Sequence, residues 1–151
     1  SRLLSCYLHR IVAKPRSPSN LALKKSSGGR GGGDVSFDEF IEIVCGQEAV
    51  EQESHWRCQA EDLCVNEIGY DLIGKMENLR DDILGMIESL YGEKGVEWYL
   101  RSEKVDASPM KTDSSEKLKE YYKNKSTLQR VLDRYSLDFE AFGYSEDLGI
   151  K

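Results

Sequence analysis

Only one segment of this 151-residue chain, Tyr70 to Gly74, reads as a β-strand. Ile68, Tyr70 and Leu72 alternate with smaller or polar residues, and the run ends at Ile73-Gly74. About five other segments repeat their apolar residues at helical spacing. A single short strand cannot make a sheet, because its N–H and C=O groups need a neighbouring strand. The pattern therefore implies an α/β protein to which this chain contributes mainly helices, with Tyr70–Gly74 joining a sheet whose other strands lie upstream. The opening residues agree. Leu3, Leu4, Tyr7, Leu8 and Ile11 already follow helical spacing, no turn remains to cap that helix, and there is no initiator Met. The chain is read as beginning inside a domain, so a leader or membrane anchor would lie before Ser1.

The helical segments carry their own start signals. Ser36 and Glu39 form a capping box, Val35 can staple to Phe40, and Gly46 is a stop after the stripe Phe37, Phe40, Ile41 and Val44. Residues 47–66 read as an ordered loop anchored by Trp56. Asn78 caps a helix whose expected buried face is Leu79, Ile83, Met86, Ile87 and Leu90. Residues 92–112 are mixed, with a short helix from Val96 to Leu100 and a turn at Ser108-Pro109. Asp113 with Glu116, then Ser126 with Gln129, repeat the capping signature before the final apolar runs. Between these elements, residues 15–34 are rich in Gly, Ser and Pro and read as a flexible loop inserted in one domain spanning 1–151.

Composition narrows the function. A net charge of −6 argues against a general nucleic-acid binder, which is usually basic. No apolar run approaches the roughly 18 residues needed to span a bilayer. Cys6, Cys45, Cys58 and Cys64 form no CxxC pair and only His9 and His55 accompany them, so no metal site is expected. Whether any cysteines pair is open. Residues 33–40 also look like the second half of a calcium loop, with Glu39 as the last ligand. Its first half would be Gly28, Arg30 and Gly32, which offer no side-chain oxygen and add a positive charge. The capping box explains Ser36 and Glu39 without an ion.

Three segments carry chemistry. The first is Ser1-Arg2-Leu3-Leu4-Ser5-Cys6-Tyr7. The second is His55-Trp56-Arg57-x-Gln59, then Leu63-Cys64, then Tyr70-Asp71-Leu72-Ile73-Gly74-Lys75-x-Glu77-Asn78-Leu79 and Asp82. The third is Lys117-Leu118-x-x-Tyr121-Tyr122 followed by Tyr135-x-x-Asp138-Phe139-x-x-Phe142-Gly143-Tyr144. In this order and at these gaps they resemble the sulfotransferase family that contains the Golgi carbohydrate sulfotransferases and related bacterial proteins. The first is similar to the end of that family's 3′-phosphate motif, the second to its HWRPQ, LC and YDFIGKFENL block, the third to its closing helix and YxxDFxxFGY ending. Cys58 departs from the pattern, standing where the family commonly has Pro.

The resemblance implies the C-terminal part of a P-loop-like sulfotransferase fold. It implies transfer of a sulfuryl group from 3′-phosphoadenosine 5′-phosphosulfate (PAPS) to a carbohydrate hydroxyl, without a metal. Ser5 would meet the donor's 3′-phosphate, and Lys111, Thr112, Ser114 and Lys117 would belong to a loop closing over the nucleotide, the alternative being a merely solvated loop. His55 and Arg57 are candidates for the acceptor side. For His55 the alternative is a hydrogen bond within its loop, and for Arg57 an ion pair with Glu61 or Asp62. Trp56 reads as a packing anchor, and Asp138, Phe139, Phe142 and Tyr144 as packing and capping groups. Lys75 and Glu77 follow a strand end, where α/β folds place ligands, or form an ion pair. The phosphate loop and catalytic base are expected before residue 1, leaving this chain inactive alone. A eukaryotic host would imply a Golgi membrane protein facing the lumen, a bacterial one a cytoplasmic enzyme. The rival reading is a non-enzymatic helical or EF-hand-like calcium module, and a third is a degenerate fragment.

Overall fold

The computed structural model describes residues 1–102 and 114–145. The chain divides into two units, one built from Ser1–Val65 together with Lys111–Lys151 and the other from Asn66–Met110. Among the described residues the secondary structure is helical and no strand forms. The expected strand at Tyr70–Gly74 is thus absent, and the α/β expectation is met only in its helices. The cause is local: an extended segment with no second strand beside it has no ladder in which to satisfy its backbone groups. No described helix is long and apolar enough to cross a membrane.

In the first unit, α1 (Arg2–Cys6) runs into a wider π-helical stretch, Tyr7–Val12, closed by the Ala13 N–H donating to the Leu8 carbonyl at 3.1 Å. This is the opening helix that the spacing of Leu3 to Ile11 predicts. Then comes α2 (Pro18–Ser26), inside the tract expected to be loop. Ser17 caps it by accepting the Asn20 N–H at 3.0 Å, and Pro18 takes the first helical position, where its missing N–H costs nothing. Leu23 is fully buried and holds the helix to the core, while the Asn20 amide donates to the Ile11 carbonyl at 2.7 Å. Of the glycines that follow, Gly31 lies against α2. A Cβ on Gly31 would lie 2.5 Å from Asn20 Oδ1, so the approach requires glycine.

Helix α3 (Phe37–Cys45) carries the predicted reciprocal capping box and stops at Gly46. Its Phe40, Ile41 and Val44 are fully buried with Leu4, Ile11, Leu23 and Trp56, so three consecutive helices share one core. An aromatic cluster extends that core towards the later helices. Tyr7 meets Phe37 edge-on at 5.3 Å, and Phe37 meets Tyr122 at 5.0 Å. The short α4 (Gln59–Asp62) follows the Trp56 turn.

The same unit is completed by α6 (Ser114–Tyr121), α7 (Lys125–Arg134) and α8 (Ser136–Phe142). Helix α7 packs on α3, and Thr127 Oγ1 donates to Asp38 Oδ1 at 2.6 Å between them. Its cap is Asn124, which accepts the Ser126 N–H at 3.0 Å, not the predicted Ser126–Gln129 box. Asn124 precedes the first helical residue and reaches that donor first. Asp113, the other predicted cap, lies outside the described residues. Gly143 ends α8 in the left-handed region (φ 59°, ψ 38°), and the Tyr144 N–H returns to the Phe139 carbonyl at 3.0 Å. The Phe-Gly-Tyr ending is therefore a helix-stop motif.

In the second unit, residues 66–75 are irregular, Met76–Asn78 make one 3-10 turn, and α5 spans Leu79–Ser102. Gly92 breaks the helical geometry of α5 (φ 65°, ψ −168°), so it is two helical stretches in series. Asp82 Oδ2 accepts the Lys75 N–H at 2.6 Å and fixes the approach to the helix. The face expected to be buried is not. Leu79, Met86 and Leu90 are exposed and no α5 residue is fully buried, because the described residues of this unit supply no second layer.

Candidate functional site

The first segment, the His55–Cys64 part of the second, and the third meet in the first unit. Arg2, from the first, donates to the Arg57 carbonyl of the second at 2.6 Å and lies 3.7 Å from the Asp138 carboxylate of the third. Asp138 also crosses to the start of α4, where it accepts the Ala60 N–H at 2.7 Å, the Gln59 N–H at 3.2 Å and the Cys58 thiol at 3.0 Å. A carboxylate at a helix start satisfies amides that no intrahelical carbonyl can reach. The capping role read for Asp138 is thus met, although its partner is a helix 78 residues away in sequence. Trp56, also as read, is an anchor: it is fully buried, its indole N–H donates to Gln47 Oε1 at 2.7 Å, and its carbonyl accepts the Tyr135 hydroxyl.

The acceptor-side candidates are engaged with their own loop. His55 Nδ1 lies 2.8 Å from Glu53 Oε1, and the buried Ser19 hydroxyl donates to the same carboxylate oxygen at 3.2 Å. Arg57 donates through Nε and its terminal nitrogen to the Gln52 carbonyl at 3.1 and 2.7 Å, and pairs with Asp62 at 3.1 Å. One of the two His55 ring nitrogens and three of the five Arg57 N–H donors are thereby spent on holding the 52–62 turn. Both keep more than a third of their side-chain surface accessible.

On the donor side, Ser5 lies on α1, half-buried, with its own amide committed to the Ser1 carbonyl at 3.0 Å. That amide is inside the helix, so any phosphate contact from Ser5 must come through the side chain. Helix α6 packs on α1, with Tyr7 and Tyr121 edge-to-face at 6.2 Å. The helix bearing Lys117 is in this way brought to the helix bearing Ser5. Lys117 is exposed, Ser114 is the first residue of α6, and Lys111 and Thr112 lie outside the described residues. In the second unit the Lys75 amide is taken by Asp82. What sequence reasoning missed is Arg2, whose contacts to Arg57 and Asp138 depend on pairings that no local spacing announces.

Glu39, the candidate calcium ligand, spends Oε2 on the Ser36 N–H and hydroxyl at 2.9 and 2.8 Å and Oε1 on Arg30 at 2.9 Å. The predicted capping box accounts for it. All four cysteines are free thiols. Burial pushes Cys6 up to about 12 and Cys45 up to about 11; burial and then the Asp138 contact push Cys58 up to about 11. Cys64 alone is exposed. Iodoacetamide is therefore expected to modify Cys64 first, with the other three following only as the protein opens. Mass mapping that found Cys6 or Cys58 labelled as fast as Cys64 would contradict this packing.

Comparison with known proteins places these features. The model of the sulfotransferase family matches residues 1–145. Mouse carbohydrate sulfotransferase 11 is 31% identical over 121 residues, covering 77% of this chain and 33% of the relative. The chain thus spans about a third of that relative's length. No solved structure matches. With the family's match running across all three segments, the chain belongs to the sulfotransferase family.

Proposed function

We propose that this chain is the donor-3′-phosphate and acceptor-loop portion of an enzyme that moves a sulfuryl group from PAPS to a carbohydrate hydroxyl. The observation that carries the reading is the packing of α6 on α1, which gathers the Ser5 and Lys117 helices. Sulfuryl transfer needs the attacking hydroxyl aligned with the departing phosphate, its proton removed, and the charge on the bridging oxygen offset. In this reading Ser5 donates its hydroxyl to the donor's 3′-phosphate. The segment of Lys111, Thr112, Ser114 and Lys117 supplies cations and hydroxyls over the nucleotide. His55 and Arg57, fixed by Glu53 and Asp62, present their remaining donors to the acceptor sugar. No base is assigned to this chain, and the reading gives it binding without turnover. A lumenal Golgi address in a eukaryotic host belongs to the same proposal.

The test is calorimetric titration of the chain with adenosine 3′,5′-bisphosphate, the desulfated donor. Ser5→Ala is expected to weaken binding about ten-fold, the value of one hydrogen bond to a charged group. Equal affinity of the two proteins would remove Ser5 from the donor site. Sulfated product formed by the chain alone would overturn the division of labour.

A further inference from the structure

An open cavity of about 480 Å³ in the first unit is lined by Arg10, Lys14, Pro15, Arg16, Ser17 and Pro18. It includes none of the donor-side or acceptor-side candidates named above. Three of its walls are cationic and none is acidic, in a chain with 27 Asp and Glu against 21 Lys and Arg. Arg2, Arg30, Arg57, Arg130 and Arg134 each pair with a carboxylate, whereas Arg10, Lys14 and Arg16 pair with no described one. Three like charges around one depression repel each other, and among the described residues no ion pair offsets that repulsion.

The walls are also braced. The Ser17 hydroxyl donates to the Arg10 carbonyl at 2.6 Å while accepting the Asn20 N–H at 3.0 Å, which ties the end of the π-helical stretch to the start of α2. Pro15 and Pro18 restrict the intervening backbone. His9 reports the local field: desolvation, then Lys14 and Arg10, hold its imidazole below the ordinary value.

We propose that this cavity binds a tetrahedral oxyanion, phosphate or sulfate, carried as an ester on a sugar or nucleoside. Guanidinium forks and an ammonium suit such oxygens. The volume lies in the range of small-molecule sites, so it admits the carrier as well as the anion. The inference does not rest on the donor or acceptor roles proposed above.

The experiment titrates the whole chain at low salt with two probes, adenosine 3′,5′-bisphosphate and a sulfated disaccharide. Three proteins are compared: the parent, R10Q/K14Q/R16Q, and the charge-matched control K119Q/K123Q/K125Q. The cavity variant should bind at least one probe about ten-fold more weakly than the control, and raised salt should shrink the difference. The probe that loses affinity names the source of the anion. Circular dichroism checks folding, and the single R16Q, in an exposed turn, should show about a three-fold loss of its own. If cavity variant and control bind both probes alike, or the parent binds neither, the proposal is wrong. Ser5→Ala read beside them separates this outcome from failure of the donor-site reading.

Discussion

Asp138→Ala is expected to remove about 3–5 kcal/mol from the stability of the first unit. The side chain is nearly buried and holds two α4 amides and the Cys58 thiol at once. Truncation leaves those donors facing a protein interior, and the desolvation they underwent on folding is no longer offset. Since domains of this size are stable by roughly 5–15 kcal/mol, the change is a large fraction of the whole. Asp138→Asn should also cost, by about 2 kcal/mol, because its NH2 group would point a donor at a donor. Urea unfolding measures both. Amide exchange locates them, since the Ala60 N–H should lose protection before the core of α3 does. Unchanged urea midpoints in both variants would show that α4 is capped by something else.

Trp56→Ala should be comparably damaging, at about 3–5 kcal/mol, through the cavity left by the largest fully buried side chain. The ring lies edge-on to Phe40 at 6.0 Å, so its loss also removes a wall of the α3 core. Trp56→Phe separates packing from polarity. Phenylalanine keeps much of the volume but strands Gln47 Oε1, whose other end is held by Ser26 at 2.6 Å. The expected loss is about 1–3 kcal/mol. A Phe variant as damaged as the Ala variant would mean that the indole N–H, and not the ring, secures the turn.

How much of this was legible varies with how local the cause is. The α3 capping box and stripe depend on residues three and four apart, and both were readable from Ser36 to Val44. The Trp56 anchor was readable too, because a large aromatic in a polar stretch has few other uses. Helix α2 carried its signal openly in Ser17-Pro18, but the glycines downstream outweighed it, and only the burial of Leu23 shows why a helix holds there. Tyr70–Gly74 has the alternation of a strand without the partner that would make it one. The apolar residues of α5 mark a face whose burial no periodicity can guarantee. In the candidate site, Ser5, His55 and Arg57 were picked out by type and order. A loop hydrogen bond for His55 and an ion pair of Arg57 with Glu61 or Asp62 were readable as alternatives, and both form, with Glu53 and Asp62. The Gln52 carbonyl as a second Arg57 partner had to be seen.

The discontinuity of the first unit bears on how the protein comes off the ribosome. The start of α4 emerges well before Asp138, and 78 residues separate Ala60 from that carboxylate. At roughly 5–20 residues per second, synthesis leaves these amides waiting for about 4–16 s. Throughout that interval the nascent segment holds Leu4, Ile11 and Trp56 without the C-terminal helices that finish their enclosure. Such a chain has a window of vulnerability written into its connectivity, because the unit is closed last.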